Sequence, residues 1–259
     1  MTNINEALKK IEPISLEEMD NVKLLNRTDT KYLLNRDKLI SVLEQCIPHY
    51  RILEIAGKRT NDYKTLYYDT ENFKLYYDHH RGKMNRKKIR YRQYLDSGLC
   101  YLEIKLKTNK GKTEKERIKR KDFAEQIAEH EFSERSKKFI VEMTEIPASE
   151  LKHKLNNHFT RITLVHKQRK ERLTIDFNLC FDNENKNVSL QNLVIAELKQ
   201  EKFSSQSDFV SIMKKEKIYP GGFSKYCIGS VLLYHHLKRN SFKPKILFLN
   251  KLLHGNIAA

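Results

Sequence analysis

The sequence has few of the features that build disulfide-linked, zinc-binding or membrane-spanning proteins. Its four cysteines are far apart and form no paired motif, which predicts reduced thiols in a cytoplasmic protein without a zinc site. The N-terminus has no apolar run of the kind found in a signal peptide. The apolar stretch Ile246 to Leu253 is interrupted by Asn250 and Lys251, and it is too short to cross a bilayer.

Common catalytic motifs are missing as well. There is no glycine-rich P-loop, no paired-carboxylate hydrolase signature and no recognisable Ser/His/Asp set. His79-His80 and His235-His236 are adjacent pairs, so the two members of each pair would point apart, and we expect none of them to be catalytic. Without repeats or a linker, the chain is predicted to form one domain over residues 1–240. A basic tail, residues 241–259, follows, and a solvated tail is favoured over contact with a membrane surface.

Positive charge is what the sequence has in excess, and it is concentrated in one part. The 259 residues carry a net charge of +17. Between Arg81 and Lys121 there are sixteen Lys or Arg residues and four Asp or Glu residues, a local charge of +12. Charge of this size predicts an acidic partner: nucleic acid, anionic lipid or a phosphorylated small molecule.

The basic segment has the pattern of three consecutive β-strands. Charged and apolar side chains alternate in Arg86–Leu95, Tyr101–Lys107 and Thr113–Lys119, so each strand has a cationic face. Like charges on one face of a sheet repel each other, and such a face needs water, acidic partners or an anionic ligand. A solvated outer face is the simpler interpretation of one such sheet, but the same arrangement recurs elsewhere in the chain.

Three further predicted strands, Arg27–Leu34, Arg172–Phe177 and Val194–Lys199, also carry ionisable residues on one face and aliphatic residues on the other. Helical patterns are found at residues 16–25, 36–46, 122–159, 208–216 and 224–237. An α+β fold satisfies both patterns: an antiparallel β-barrel, closed or nearly closed, with a polar cationic lumen and with helices packed outside.

A charged lumen is costly when it is empty, which favours a highly charged anion or an anion–metal pair as its ligand. Arginine binds phosphate bidentately and lysine binds it as a point charge, and a large cluster suits a tri- or polyphosphate. Glu103, Asp176 and Glu197 are either ion-pair partners of the cations or ligands of Mg²⁺ or Mn²⁺. Glu197 is the preferred metal ligand because its strand is otherwise apolar. The candidate lumen cations are Arg90, Arg92, Lys105, Lys115, Arg117, Arg169 and Arg172.

The stretch Gly221-Gly222-Phe223-Ser224-Lys225 leads into a predicted helix. Free backbone N–H groups at a helix start, together with a hydroxyl and an ammonium group, form a general anion site. Ser224 could equally serve only as the N-cap of that helix. If this stretch lies beside a cationic barrel, contact with phosphate competes with helix capping as its interpretation.

Seven stretches, spread in order over about residues 20–237, resemble the VTC domain. This is the catalytic module of the vacuolar transporter chaperone polyphosphate polymerase, within the CYTH-like triphosphate tunnel metalloenzymes. The matching stretches are Arg27-Thr28-Asp29-Thr30-Lys31-Tyr32, Tyr67-Tyr68-Asp69, Ile89-Arg90-Tyr91-Arg92, Leu102-Glu103-Ile104-Lys105, Arg172-Leu173-Thr174-Ile175-Asp176, Ile195-Ala196-Glu197-Leu198-Lys199 and Phe223-Ser224-Lys225-Tyr226.

The resemblance implies an antiparallel barrel that forms a basic tunnel. It also implies Mn²⁺- or Mg²⁺-dependent transfer of the terminal phosphate of ATP to a growing polyphosphate chain. With the strand faces, it gives as catalytic candidates Lys31, Arg90, Arg92, Lys105 and Glu197, the last as metal ligand. The phosphate-binding candidates are Arg27, Lys115, Arg169, Arg172, Lys199, Ser224 and Lys225.

Other functions remain open at this point. The same tunnel with water as the acceptor would be an inorganic triphosphatase or polyphosphatase, and without turnover it would be a binding module for polyphosphate or an inositol phosphate. A nucleic-acid binder that stacks bases on Tyr91 and Tyr94 ranks last, so no nucleic acid is expected. The first strand lacks the alternating glutamates of the wider CYTH group, which argues against an adenylate cyclase or a thiamine triphosphatase. The expected partners are ATP and polyphosphate, and a membrane-protein partner and a peripheral position at a membrane stay open.

Overall fold

The computed structural model describes residues 3–20, 27–109, 113–120, 132–255 and 257. Its strands are β1 (Pro13–Ile14), β2 (Thr28–Asn35), β3 (Tyr50–Leu53), β4 (Asn61–Thr70), β5 (Arg86–Tyr94), β6 (Leu99–Lys107), β7 (Thr113–Arg120), β8 (Leu151–His166), β9 (Glu171–Asp182), β10 (Asn187–Leu190) and β11 (Leu193–Gln200). The α-helices are α1 (Ile4–Lys9), α2 (Leu16–Asp20), α3 (Leu39–Cys46), α4 (Lys74–His80), α5 (Glu134–Thr144), α6 (Asp208–Lys215), α7 (Lys225–Leu233) and α8 (Lys243–Leu253).

The strands form one large antiparallel sheet. Its main path runs β2-β11-β9-β8-β4-β5-β6-β7, while β3 pairs with β8, β10 pairs with β9, and β1 adds a parallel strand to β3. Among the described residues, β2 and β7 are the two ends of the path and do not pair with each other. The predicted α+β fold with an antiparallel barrel is therefore confirmed, as a sheet that curls without closing its last seam.

The outer face of the sheet is apolar and lies under helices. Leu34, Leu164, Ile175 and Val194 pack with α1, α3 and α6 on one side of the barrel. A second cluster packs the outward side chains of β4, β5 and β6 against α5. Because successive side chains of a strand point to opposite faces, burying these residues outward turns their charged neighbours inward.

Helix α7 packs against the inner face of the sheet, where it contacts β8, β9 and β10. Its approach is close at Gly229, since a β-carbon there would lie 2.6 Å from the ring of Phe181. Leu155 and Ile228 belong to the same apolar cluster. The helix thus fills part of the interior with apolar side chains and leaves the cationic part free.

The helical prediction for residues 151–159 was wrong, because these residues form the first half of the long strand β8. Leu151, Leu155 and Phe159 are spaced by four, which suits one face of a helix and also one face of a strand. These residues form a strand because their backbone pairs with β4 on one side and with β9 on the other. The helix that the structure describes in the predicted region is α5, and residues 122–131 and 21–25 of the predicted helices lie outside the described residues.

The predicted tail, residues 241–259, contains helix α8, which the sequence reading did not anticipate. Ile246 and Leu249 are buried in the same apolar cluster as α7. The side-chain amide of Asn35 donates a hydrogen bond to the carbonyl of Leu252 at 3.0 Å. Helix α8 is therefore docked on the barrel. Within the described ranges, no helix combines the length and the apolar character needed to cross a membrane.

Candidate active site

The inner face of the barrel collects charged side chains from seven strands and from the start of α7. On β5, Ile89 and Tyr91 pack outward beneath α5, so Arg90 and Arg92 point inward. The same alternation holds on β2, β6, β7, β8, β9 and β11. The ten cations of this central part are buried or half-buried: Lys31, Lys88, Arg90, Arg92, Lys105, Lys115, Arg161, Arg172, Lys199 and Lys225. We call the space that they surround the lumen.

Glu103 on β6 holds two of these cations from a fully buried position. Its carboxylate accepts hydrogen bonds from Nε of Arg90 at 2.9 Å and from Nη2 at 2.6 Å, and it forms an ion pair with Lys115. Burial alone would raise the pKa of Glu103, but the charges of Arg90, Arg92 and Lys115 hold it well below its ordinary value. Glu103 is therefore ionised and joins β5, β6 and β7.

Asp176 on β9 performs the same task for a second pair of cations. Nε of Arg161 lies 2.6 Å from Oδ1 and Nη2 lies 2.8 Å from Oδ2, a bidentate arrangement, and Nζ of Lys225 donates to Oδ2. Burial opposes the ionisation of Asp176, but Arg161 and Lys225 hold its pKa well below the ordinary value. These contacts join β8, β9 and the first residue of α7.

Glu197 on β11 is the third carboxylate of the lumen. Nζ of Lys31 lies 3.1 Å from Oε2 of Glu197, and Nζ of Lys199 lies 2.5 Å from Oε1. Lys199 also donates a hydrogen bond to the hydroxyl of Thr174 at 3.0 Å. Burial works against ionisation here too, yet Lys199 and Lys31 hold the pKa of Glu197 well below its ordinary value.

Three cations of the lumen have no ion-pair partner among the described residues: Lys88, Arg92 and Lys105. The guanidinium of Arg92 lies 5.8 Å from the ring centroids of both Tyr63 and Phe159. The charge of Arg90, followed by burial, holds the pKa of Lys105 well below its ordinary value. This part of the lumen therefore has positive charge that the carboxylates do not balance and that a bound anion would offset.

Charges from strands far apart in the sheet act on one another across the lumen. Glu197 on β11 partly offsets the lowering of the pKa of Lys105 on β6. Burial lowers the pKa of Lys88 on β5 to about 8, and Lys31 on β2 adds to this effect. A cavity of about 690 Å³ opens between β2, β5, β6, β7 and the loop 220–224, and the lumen cations that line it are Lys31, Lys88 and Lys105.

Ser224 serves as a helix cap and also lines the cavity. Its hydroxyl accepts a hydrogen bond from the backbone N–H of Cys227 at 3.2 Å and one from Nζ of Lys88 at 3.1 Å. The N-cap interpretation is therefore correct in the described state. Because Ser224 and Lys88 both border the cavity, the hydroxyl and the ammonium are also placed to meet an anion.

The structure brings most of the predicted site residues together, but not all of them. Arg27 lies at the exposed start of β2 and pairs with Asp29 at 3.0 Å. Arg169 corrects our prediction: it lies in the exposed turn between β8 and β9, where its guanidinium donates to the carbonyl of Gln206. The predicted residues on the inner face or at the start of α7 are Lys31, Arg90, Arg92, Lys105, Lys115, Arg172, Glu197, Lys199, Ser224 and Lys225.

Sequence reasoning missed two lumen residues, Arg161 and Lys88. Arg161 was overlooked because residues up to Phe159 were predicted as helix, and the following strand was placed from Ile162 onward. The alternation of Phe159, Arg161 and Thr163 on one face was the available signal. Lys88 belonged to the predicted cationic face of its strand but was not singled out.

The carboxylates of the lumen do not form a metal site by themselves. Among the described residues, no group of three or more His, Cys, Asp or Glu side chains is placed to hold a metal ion. Glu103, Asp176 and Glu197 are separated from one another, and each holds two cations. A divalent ion would find one protein carboxylate here, and its other ligands would have to come from a bound phosphate or from water.

The described strands thus form an antiparallel barrel whose inner face is cationic. The family model for the VTC domain matches residues 26–234, so the chain belongs to the VTC domain family. No curated protein sequence matches the chain.

Two solved structures show the same fold. A candidate adenylate cyclase of Bacillus halodurans shares 15% identity at a TM-score of 0.52, covering 77% of this chain and 94% of that one. A candidate adenylyl cyclase of Hippeastrum, described as having a dominant triphosphatase activity, also shares 15% identity at a TM-score of 0.52. That match covers 78% of this chain and 93% of the Hippeastrum chain.

Arg161 and Arg169 form a matched pair for testing the site. Arg161→Gln should weaken the binding of inorganic tripolyphosphate by about 10- to 100-fold, because it removes a lumen cation that can meet phosphate bidentately. Arg169→Gln should leave the affinity within about twofold, because its guanidinium lies in an exposed turn. Titration calorimetry at fixed salt measures both. Equal affinities for the two variants would mean that phosphate does not reach the site of Arg161.

The pH dependence of anion binding follows from three lysines. Burial is the first cause that lowers the pKa of Lys88, Lys115 and Lys225 to about 8 in the free protein. A bound anion favours their protonated forms, so affinity should fall as the pH rises above 8, and Lys105, whose pKa is also well below its ordinary value, adds to the dependence on pH. The fall should reach up to about tenfold per pH unit for each lysine that must regain its proton.

Sulfate is a suitable probe of this dependence because its own charge is constant over the range. Its affinity can be followed by the shift in the thermal unfolding midpoint at increasing sulfate concentration, at pH 7.5, 8.5 and 9.5. An affinity that stays level, or rises, above pH 8 would contradict the assignment of these lysines to the anion site.

Proposed function

We propose that this protein is a metal-dependent polyphosphate polymerase, which transfers the terminal phosphate of ATP to a polyphosphate chain inside the lumen. The observation that carries the proposal is the set of ten inward cations, which three carboxylates neutralise only in part. A single phosphate does not need so many cations, whereas a triphosphate donor together with a polyanionic acceptor does. Membership of the VTC domain family supports the same conclusion.

The chemistry needs positioning and charge neutralisation more than it needs a base. An oxygen of the terminal phosphate of the chain attacks the γ-phosphorus of ATP, the bond from that phosphorus to the β–γ bridging oxygen breaks, and ADP leaves. The attacking oxygen is already anionic, so no group must remove a proton. In this proposal Arg90, Arg92, Arg161 and Lys105 hold the transferred group, with Lys31 close to the attacking oxygen.

The resting ion pairs keep these cations in position before the substrate arrives. Arg90 and Arg161 are each held through two nitrogen atoms, so little movement is needed for their remaining donors to meet phosphate oxygens. Lys31 and Lys199 can turn from Glu197 toward the added negative charge.

Mn²⁺ or Mg²⁺ is the proposed cofactor, and Glu197 is its proposed protein ligand. Mg²⁺ commonly binds through one or two carboxylates together with substrate phosphates, which fits a single available carboxylate. When bound, the ion would supply neutralisation of charge on the donor phosphates. Release of Lys31 and Lys199 toward the substrate would free both oxygens of Glu197 for this task.

A triphosphatase is the second candidate, and the solved structure from Hippeastrum favours it, since that protein is described as having triphosphatase activity. The two reactions differ only in whether water or a phosphate chain attacks. A non-catalytic sensor of polyphosphate or an inositol phosphate would use the same cations without turnover. Base stacking on nucleic acid has little support, because Tyr91 is fully buried on the outer face beneath α5.

ATP and polyphosphate are thus the proposed small-molecule partners. A cytoplasmic location, peripheral attachment to a membrane and a membrane-protein partner that accepts the chain remain part of this proposal. The concentrated positive charge of the lumen suits a soluble donor that enters from an aqueous compartment.

A time course with ATP and Mn²⁺ tests the function directly. Polymerisation predicts that ADP and chains of growing length appear together with little free phosphate. Release of free phosphate in step with ADP would instead identify a triphosphatase. Lys105→Ala should slow turnover by about 10²- to 10³-fold, because it removes a cation that stabilises charge in the transition state.

Glu197→Gln separates an enzyme from a sensor. Turnover should fall strongly, whereas tripolyphosphate binding without metal should stay equal or become tighter, because Lys31 and Lys199 lose their competing carboxylate. Glu201 is an exposed residue just beyond the end of β11, and Glu201→Gln is the control. It should change neither turnover nor tripolyphosphate binding. Wild-type protein that binds tripolyphosphate but turns over neither ATP nor tripolyphosphate would support the sensor.

A further inference from the structure

The cavity does not end at the central cations but continues to a mouth bordered by the C-terminal helix. Lys245 of α8 lines it together with Arg86, Lys88 and Lys107 from β5 and β6. Helix α8 lies beyond residue 234, where the match to the VTC domain ends. One wall of the mouth is therefore built by a part of this chain outside the family match.

Lys245 is held at the mouth rather than extended into solvent. Its side chain is half-buried, and its ammonium lies against the backbone of the loop 220–224, 3.4 Å from where a β-carbon on Gly221 would be. Among the described residues it has no carboxylate partner. The helix is fixed from below by Ile246 and Leu249, so the position of Lys245 is set by packing.

The opposite wall of the mouth also carries positive charge. Nε of Arg86 is buried and has no hydrogen-bond partner in the described part of the chain. Lys88 donates to the hydroxyl of Ser224, which connects the mouth to the start of α7. The acidic residue at the mouth is Asp29, and it already pairs with Arg27.

We propose that Lys245 and Arg86, next to the central cation Lys88, form a second phosphate subsite, which holds the part of a linear polyphosphate chain that lies remote from the reacting phosphate. The proposal rests on the proposed function, because it assumes that the central cations hold the reacting group. Lys245 lines the same cavity as the central cations Lys31 and Lys105. A chain anchored in the centre would therefore extend along this wall.

The subsite makes a prediction about chain length that the central site does not. Tripolyphosphate fills the centre and should not need Lys245, whereas a long chain should use both sets of cations. Lys245→Gln should thus lower the affinity for long-chain polyphosphate by roughly three- to tenfold and leave the affinity for tripolyphosphate within about twofold. Lys245→Arg should keep the long-chain affinity, since the charge is retained.

The matched control is Lys251→Gln, which removes the same charge from an exposed position of the same helix. Affinities of all variants for tripolyphosphate, ATP and long-chain polyphosphate would be compared by calorimetry at one ionic strength, with thermal unfolding as the check on folding. A loss of affinity in Lys245→Gln that is confined to long-chain polyphosphate supports the subsite. Equal effects of the two glutamine variants, or an equal loss for tripolyphosphate, would overturn it.

ATP gives a third outcome: weakened ATP binding with unchanged long-chain binding would assign Lys245 to the nucleotide and would also overturn the proposal. These binding measurements do not depend on turnover, so failure of the polymerase assay and failure of the subsite remain distinguishable. If the chain does grow, Lys245→Gln should release shorter products than the wild-type protein. Unchanged product length would argue against a role of the mouth during synthesis.

Discussion

Two buried carboxylates, Glu103 and Asp176, and the half-buried Glu197 hold together a sheet face whose cations would otherwise repel one another, and the site depends on these ion pairs. Glu103, Asp176 and Glu197 each bind two cations from different strands or from α7. Burying a charge without partners costs several kcal/mol, and a carboxylate between two cations offsets much of that cost. The fold can thus bury many cations with only a few carboxylates in the lumen. The cations that the carboxylates do not neutralise are the ones available to bind an anion.

The apolar outer face is the other half of this arrangement. Leu102 and Ile104 pack outward beside the inward Glu103 and Lys105, so the packing of the helices fixes the direction of the charged side chains. Phosphoryl transfer benefits from cations that are positioned before the substrate binds, because little reorganisation is then required at the moment of reaction. Stability and function are thereby coupled: the hydrophobic face supplies the folding free energy and also orients the site.

The sequence predicted much of this architecture, because strict alternation of charged and apolar residues leaves few other folds. The cationic faces of β5, β6, β9 and β11 follow from period-two patterns alone, and so does the inward position of Arg90. The failure at β8 has a local cause, which is that spacing by four fits a strand as well as a helix. At β8 this ambiguity hid Arg161, while the predicted Arg169 lies in an exposed turn.

Contacts between distant parts of the chain were beyond sequence reasoning. No local pattern shows that α8 returns to the barrel or that Lys245 faces the loop at Gly221, since both follow from tertiary packing. Likewise, the division of the cations into paired and unpaired ones depends on which strands are neighbours. Glu197 meets Lys31 because β2 and β11 are adjacent, although they are far apart in sequence.

The central claim is that the inward cations enclose the phosphates of the substrate. A crystal structure of the protein with tripolyphosphate tests it most directly. The account predicts phosphate oxygens within hydrogen-bond distance of Arg90, Arg92, Lys105 and Arg161, inside the barrel. Tripolyphosphate bound only on the outer surface, with the lumen side chains keeping their present partners, would contradict it.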